Sequence, residues 1–122
     1  MNIPKIKTHT FHGKKFKIKF GPIKKHATKK EIKECKEKCG ITNTDDILAL
    51  TDDRVTKNKS ILISTGIDDD KELLRVLLDE AIHACDDRID NDIVDVYARD
   101  IANFLWRCGY RKSSKQADGL NT

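Results

Sequence analysis

Residues 71–86, with the sequence KELLRVLLDEAIHACD, decide how the rest of the chain is interpreted. The preceding acidic run, residues 68–70, supplies an N-cap and favourable negative charge, so the sequence predicts a helix that ends near Cys85. On a helical wheel, Asp79 and His83 lie opposite the apolar stripe. That stripe consists of Leu74, Leu77, Leu78, Ala81 and Cys85. The sequence therefore predicts an amphipathic helix with one acidic face.

The acidic face contains the motif Asp79-Glu80-Ala81-Ile82-His83. Residues four apart share a helical face, so Asp79 and His83 can reach one metal ion. The layout is that of H-E-x-x-H, in which two histidines bind zinc and the glutamate is the general base. Aspartate replaces the first histidine here, and a carboxylate oxygen is an acceptable zinc ligand. A plain amphipathic helix with a solvated acidic face has the same pattern, so the motif alone leaves both interpretations open.

Further elements are predicted before and after this helix. Asp90-Asn91-Asp92 caps a second helix over residues 93–108, which ends at Gly109. Short apolar runs at 47–50 and 60–64 predict two strands. Nearer the start, Phe16, Ile18 and Phe20 alternate with lysines, which is the period of a half-buried strand. A hairpin with strands at 5–11 and 14–20 is expected, with its turn at His12-Gly13.

A basic helix is expected after the hairpin. Thr28-Lys29-Lys30-Glu31 has the form of a capping box, and Gly40 has that of a C-cap, which predicts a helix over about 29–39. Cys35 and Cys39 share one stripe of this helix, where small apolar side chains suit packing. A Cys/His zinc site is the alternative, although C-x-x-x-C differs from the usual C-x-x-C spacing.

The charge distribution along the chain is polarised. Residues 1–40 contain thirteen lysines and three glutamates, whereas residues 41–105 contain sixteen acids and seven bases. The basic third could attract nucleic acid or an acidic protein through helix lysines, or the two halves could simply attract each other. The lysines in question are Lys29, Lys30, Lys33 and Lys36.

Composition excludes several classes of protein. No apolar run approaches the ~18 residues that a membrane span requires, so no membrane partner is expected. The first residues lack the apolar core of a secretory signal, which predicts a cytoplasmic protein. With 38% hydrophobic and 36% charged residues, the chain has a globular composition.

Together these elements predict an α+β fold. We expect a small, mostly antiparallel sheet that begins with the hairpin and is packed by two C-terminal helices. Residues 1–112 would form a single domain with a basic helical insertion at 22–44, and residues 113–122 a flexible polar tail.

Residues 60–111 resemble the compact zincin metallopeptidases, the minimal gluzincin or ImmA/IrrE-type group of phage and bacteria. In that group a strand precedes the H-E-x-x-H helix, and the next helix supplies an acidic third ligand in an E-x-x-A pattern. Here SILIS (60–64) precedes the motif helix, and Asp95-Val96-Tyr97-Ala98 follows on the next one. The stretch LLDEAIHACDDRIDNDIVDVYARDIANFLWRCGYR, residues 77–111, also resembles small phage and bacterial proteins of this type, which implies a phage-encoded protein in the host cytoplasm.

The resemblance implies a role for each motif residue. His83 would be the second zinc ligand, Asp95 the third, and Glu80 the general base that deprotonates the water attacking a peptide carbonyl. Asp79 occupies the first-ligand position and departs from the pattern, and Asp100 is the less favoured substitute for Asp95. Two carboxylates and one imidazole hold zinc less tightly than two imidazoles and one carboxylate.

Two functions follow. The first is a zinc-dependent hydrolase of peptide or protein substrates, impaired by Asp79. The second is a catalytically inactive zincin-fold binding protein whose basic N-terminal third engages nucleic acid or an acidic protein. As the third ligand, Asp95 is expected within about 4–5 Å of His83, and the alternative is a surface acid near the start of its helix. The surrounding acids are also expected to raise the pKa of His83 in the metal-free protein.

Overall fold

Four strands and four helices follow one another in pairs along the described residues, 5–52 and 59–111, of the computed structural model. The strands are β1 (Thr8–Phe11), β2 (Lys14–Phe20), β3 (Ala49–Asp52) and β4 (Ser60–Ile63), and the helices are α1 (Ile23–His26), α2 (Lys29–Cys39), α3 (Asp70–Cys85) and α4 (Asn91–Arg107). A 3₁₀ turn at Thr44–Asp46 precedes β3. The predicted α+β class is confirmed. The expected tail at 113–122 and residues 53–58 of the loop before β4 lie outside the described residues.

The hairpin forms as its alternating pattern predicts, although its first strand begins at Thr8 and not at residue 5. β1 and β2 pair antiparallel, with His9 opposite Phe16. His12 and Gly13 have φ values of 49° and 78°, the left-handed conformation that a tight two-residue turn between twisted strands requires. Phe16 is completely buried, while the lysines on either side of it point to the other face of the strand.

The sheet is mixed, in the order β1-β2-β4-β3. The outer pairs are antiparallel, and β2 and β4 pair parallel in the middle. Ile61, Leu62 and Ile63 of β4 are all buried, because both faces of this central strand are covered. Ile61 and Ile63 join the main core with Phe16, whereas Leu62 packs on the other face.

The inserted segment covers that second face. Its smaller core contains Ile23, Ile47 and Leu62, with Cys35 of α2 packed against it. The predicted capping box of α2 is present: Thr28 Oγ1 accepts from the Glu31 backbone N–H at 3.1 Å, and Glu31 Oε1 accepts from the Thr28 N–H at 2.9 Å. Cys35 therefore has the expected packing role, and the short helix α1 is an addition to the predicted elements.

The buried face of α3 differs from the predicted stripe. Leu73, Val76, Glu80 and Ala84 are buried. No residue of the predicted stripe is fully buried, and Cys85 is exposed. The prediction was wrong because α3 packs against the sheet and α4 at once, so its covered arc is wider than one stripe and is centred elsewhere.

Helix α4 completes the second layer. Its buried residues, Val94, Ala98 and Ala102, recur every four positions and are small, which lets α4 approach α3 closely. The contact with α4 places its first two turns beside the acidic face of α3, where the candidate site lies.

Candidate functional site

The motif residues of α3 converge on one point. Asp79, Glu80 and His83 each offer a donor atom, and the three atoms lie within 4.8 Å of one another. His83 Nδ1 is 3.1 Å from Asp79 Oδ1 and 3.7 Å from Glu80 Oε2. These distances follow from helical spacing, since residues three and four apart lie one turn above each other. Helix geometry alone therefore gathers three of the four predicted site residues.

The other ring nitrogen of His83 is fixed by α4. His83 Nε2 lies 2.8 Å from Asn91 Oδ1, and with the amide oxygen as acceptor Nε2 carries a hydrogen. Nδ1 is then the nitrogen that faces Asp79 and Glu80. A metal-ligating histidine usually donates its second N–H to such an outer partner, so this orientation suits a ligand.

In the metal-free protein the neighbouring carboxylates favour the protonated form of the His83 imidazole. Hydrogen bonds that the imidazole donates to Asp79, and then to Glu80, raise the pKa of His83 to about 10, against the opposing effect of burial. The direction agrees with the prediction, although Asn91 and not Asp95 completes the surroundings of the ring. The carboxylates thus stabilise a positive charge on the imidazole, and a metal ion at Nδ1 would have to displace that proton.

Burial distinguishes this cluster from ordinary surface charge. Glu80 is 7% exposed, and it is the one charged side chain that is buried among those residues whose burial the structure describes. Asp79 and His83 are half-buried, with side chains 20% and 23% exposed. Of the two interpretations that the motif left open, the plain solvated face differs from the structure, because α4 packs beside Asp79 and His83.

Glu80 also forms part of the wall of an apolar pocket. The pocket has a volume of about 260 Å³ and lies between the hairpin side of the sheet and α3. Its apolar lining includes Phe11, Ile18, Phe20, Ile61, Leu77 and Ala81. A small apolar group bound there would lie beside a buried carboxylate, and such a combination is typical of ligand pockets.

Asp95 is engaged elsewhere. Its Oδ2 accepts a hydrogen bond from Arg99 Nε at 3.0 Å, and its Oδ1 is 3.5 Å from Arg75 Nη1. The three-donor cluster does not include Asp95, nor does it include Asp100, which is exposed. The structure therefore brings Asp79, Glu80 and His83 together and turns the predicted third ligand towards two arginines.

Arg75 is the residue that sequence reasoning missed. Its side chain is 16% exposed, its Nη1 is 3.9 Å from Asp79 Oδ2, and its Nε donates to Glu72 Oε1 at 3.0 Å. Its position four residues before Asp79 is a helix ion-pair spacing, so the Asp79 contact had a local signal. No local sequence signal indicated Asn91, because its contact with His83 depends on how α4 packs against α3.

The donor set fits a divalent transition metal in part. One imidazole nitrogen and carboxylate oxygens are zinc ligands, and donors 3.1 Å apart can share an ion with bonds of about 2 Å. The guanidinium of Arg75 beside Asp79 opposes a second cation at the same place. The residues therefore suit a metal held by two or three protein ligands, with less affinity than a site of two histidines and an acid.

No protein-family model matches the chain, and no significant match was found among curated proteins or solved structures. The resemblance to zincin metallopeptidases stays a prediction drawn from the motif and the order of elements. Within the described residues, no helix is long and apolar enough to cross a membrane.

Proposed function

We propose that the protein is a zincin-like metal-dependent hydrolase of peptide substrates, with a metal site weakened at the first and third ligand positions. One observation carries the proposal: His83 and Asp79 lie 3.1 Å apart beside the buried Glu80, which forms the wall of an apolar pocket. Donor atoms, a potential base and room for a substrate group occur side by side, as a hydrolytic site requires.

Each residue has a distinct role in this proposal. Asp79 and His83 would hold the ion, and Asn91 keeps the imidazole oriented with Nδ1 towards Asp79. When bound, zinc supplies a Lewis acid that polarises a carbonyl group. Glu80 would take the proton of the attacking water as general base, and the apolar pocket beside it would receive a hydrophobic side chain of the substrate.

Zinc titration of chelator-treated protein by calorimetry tests the metal site. We expect one ion per chain, with binding lost in Asp79→Asn and His83→Gln and retained in the control Asp100→Asn, an exposed acid outside the cluster. Asp79→His should raise zinc affinity about tenfold or more, since imidazole is the better ligand for zinc. Absence of zinc binding in the native protein, or equal affinity in Asp79→His, would contradict the site.

Peptide cleavage by the zinc-loaded protein tests the reaction. We expect cleavage of peptides with hydrophobic residues at the scissile bond, and loss of cleavage in Glu80→Gln with zinc stoichiometry unchanged. A metal-loaded native protein that cleaves no member of a diverse peptide library would refute hydrolase activity while leaving the metal site intact.

The position of Arg75 favours a second candidate, a non-catalytic binding protein. The ion pairs of Arg75 and Arg99 with Asp95 neutralise the carboxylate that a three-ligand zincin site needs. In this case the basic N-terminal third would be the functional surface and would bind nucleic acid. On α2, Lys29, Lys30 and Lys33 are exposed, whereas Lys36 is partly covered.

Oligonucleotide binding measured by fluorescence anisotropy tests this candidate. Lysine contacts to phosphates release counterions, so affinity should be weak, independent of sequence and steeply reduced by salt. Reversal to glutamate at Lys29, Lys30, Lys33 and Lys36 should abolish binding, while arginine at the same four positions should preserve it. Binding that persists at high salt, or survives the reversal, would exclude this surface.

A further inference from the structure

The outer face of the hairpin carries a row of exposed lysines. Lys15, Lys17 and Lys19 of β2 point away from the main core, because the residues between them, Phe16 and Ile18, point into it. Alternate residues of a strand are about 7 Å apart, so the three side chains leave the sheet along one line about 13 Å long. These three residues are called the lysine row below.

Hydroxyl groups are the neighbours of the lysine row on this face. In the register of the sheet, Thr10 of β1 lies opposite Lys15. On either side of Lys17 lie Thr8 of β1 and Ser60 of β4. Both threonines are exposed. Hydroxyl groups, like lysines, donate hydrogen bonds to phosphate oxygens, so the face presents several donors of the kind that bind phosphate.

The lysine row has no acid beside it. The first acid of the chain is Glu31, which follows ten lysines. Among the four strands the one acid is Asp52 of β3, and β4 separates that strand from β2. Within the described residues, no member of the lysine row forms an ion pair. Residues 1–4, 53–58 and 112–122 contain two acids and four bases in total, so these segments do not neutralise the row as a whole.

The basic helix α2 differs from the hairpin in this respect. Its eleven residues contain five lysines and three glutamates, and Lys30 Nζ lies 3.9 Å from Glu34 Oε1. Strand β2 contains four lysines among seven residues and no acid. Positive charge is therefore less compensated on the hairpin than on α2, and the hairpin is the stronger attractor of an anionic partner.

The chemistry of the lysine row favours nucleic acid among anionic partners. Elements that lie on a membrane surface insert apolar side chains, but Phe16 and Ile18 of β2 face the core. Protein interfaces are depleted of lysine and are centred on aromatic or apolar anchors, which the row lacks. A line of ammonium and hydroxyl groups matches a phosphodiester backbone, in which the charge repeats at regular intervals.

The same face favours a duplex over a single strand. Proteins that bind single strands stack unpaired bases on aromatic side chains. The lysine row and its register neighbours Thr8, Thr10 and Ser60 include no aromatic residue. Affinity must then come from phosphate contacts, and a duplex carries charge from both of its strands along the same length.

We propose that the lysine row is a nucleic-acid-binding surface that contacts the phosphate backbone of a duplex without reading its sequence. Lysine contacts to phosphate position a protein on nucleic acid and carry no base information, so sequence-independent binding follows. This inference rests on the second candidate function, nucleic-acid binding by the basic N-terminal third, and makes the hairpin its main surface. It does not depend on the metal site or on hydrolase activity.

Fluorescence anisotropy with a labelled DNA duplex, measured at several salt concentrations, tests the surface. The native full-length chain should bind the duplex more tightly than either separated strand. Lys17→Gln should reduce the slope of log affinity against log salt concentration by about 1, since one phosphate contact to duplex DNA releases about one counterion. Lys38→Gln is the matched control, because Lys38 is equally exposed but lies near the end of α2, and its slope should equal that of the native chain.

Replacement of the whole row distinguishes the hairpin from α2. Glutamine at all three positions should reduce the salt slope by about 3 and the affinity at low salt more than tenfold, whereas arginine at the same positions should preserve both. Far-ultraviolet circular dichroism verifies that each variant is folded.

Three results would overturn the proposal in distinguishable ways. Unchanged binding by the glutamine variant would exclude the hairpin, and the second candidate would survive if reversal of the α2 lysines still abolished binding. A native chain that does not bind the duplex, including one that binds phosphatidylserine vesicles in its place, would refute both the lysine row and the second candidate. Tighter binding to the separated strands than to the duplex would refute the duplex as the partner.

Discussion

Helices α2 and α3 are both densely charged and both begin at a side-chain cap, yet their charges have opposite fates. On α2, Lys30 Nζ and Glu34 Oε1 are 3.9 Å apart, with side chains 78% and 60% exposed. On α3, Arg75 is 16% exposed and lies between carboxylates of its own helix and of α4. The comparison shows that a high density of charge is not enough to form a site. The charged side chains must also come together where a second element, here α4, partly covers them.

The physical reason is the medium around each pair. Water separates and screens the charges of α2, so each pair contributes little to stability. The close contact between α3 and α4 excludes water from one side of the cluster, which strengthens each interaction and raises the cost of an unpaired charge. Proton binding and ion pairing are therefore coupled on α3 and not on α2, and a metal ion of the proposed site would compete with both.

The largest expected effect is the loss of Arg75. Arg75→Met keeps the aliphatic length but leaves Asp79 and Asp95 without their shared cation, and we expect the free energy of unfolding to fall by about 2 kcal/mol. The matched change on α2, Lys30→Met, should cost less than about 0.5 kcal/mol. Urea denaturation of both variants measures the difference, and equal costs would remove the distinction between the two helices.

The same variant tests whether Arg75 opposes a metal ion at Asp79. Removal of a guanidinium 3.9 Å from Asp79 eliminates a competing cation, so zinc affinity should rise in Arg75→Met even as the metal-free protein becomes less stable. Zinc affinity that falls in this variant would mean that Arg75 supports the site and does not oppose ion binding there.

The sequence predicted the ends of α3 and the spacing of its motif residues better than it predicted which surfaces pack against this helix. Cap residues and periodicity are local, so the capping box of α2, the hairpin turn and the ends of α3 were all close to their predicted places. The convergence of Asp79, Glu80 and His83 was also predictable, because helical spacing alone produces it. Which arc of α3 is buried depends on two partner surfaces, and no wheel of one helix contains that information.

The surroundings of His83 show where prediction stopped. Asp95 and Asn91 both lie in the first turns of α4, and the resemblance selected the acid as the partner of the site. In the structure the amide reaches the imidazole, while the acid pairs with Arg75 and Arg99. The choice depends on the rotation of α4 about its axis, which the small residues Ala98 and Ala102 set by docking on α3.

A second prediction concerns the pH dependence of the metal-free protein. The pKa of His83 is raised from 6.5 to about 10 by Asp79 and Glu80, so the folded state binds the proton more tightly than the unfolded chain. The stabilisation is complete below pH 6.5 and is lost as the pH rises towards about 10. Thermal unfolding in the presence of chelator should show the native protein more stable than His83→Gln at low pH.

The difference in thermal stability between the native protein and His83→Gln should shrink as the pH is raised. Titration of the many lysines affects both proteins equally, so it does not contribute to this difference. A difference that is constant from neutral to alkaline pH would show that His83 contributes through packing and not through its charge.

The smallest expected effect is the coupling within single ion pairs, which double-mutant cycles isolate from the other consequences of substitution. Arg75 donates to Glu72 through both Nε and Nη2, and its side chain is largely covered, so their coupling should be about 1 kcal/mol. Lys30 and Glu34 are exposed, and Lys30 Nζ lies 3.9 Å from Glu34 Oε1. The coupling energy of this pair should therefore be about 0.3 kcal/mol or less. High salt should reduce the α2 coupling towards zero and leave most of the α3 coupling, since partly buried pairs are screened less. Couplings of equal size with equal salt dependence would mean that α4 does not shield the charges of α3, and the case for a specialised site on that helix would lose its physical basis.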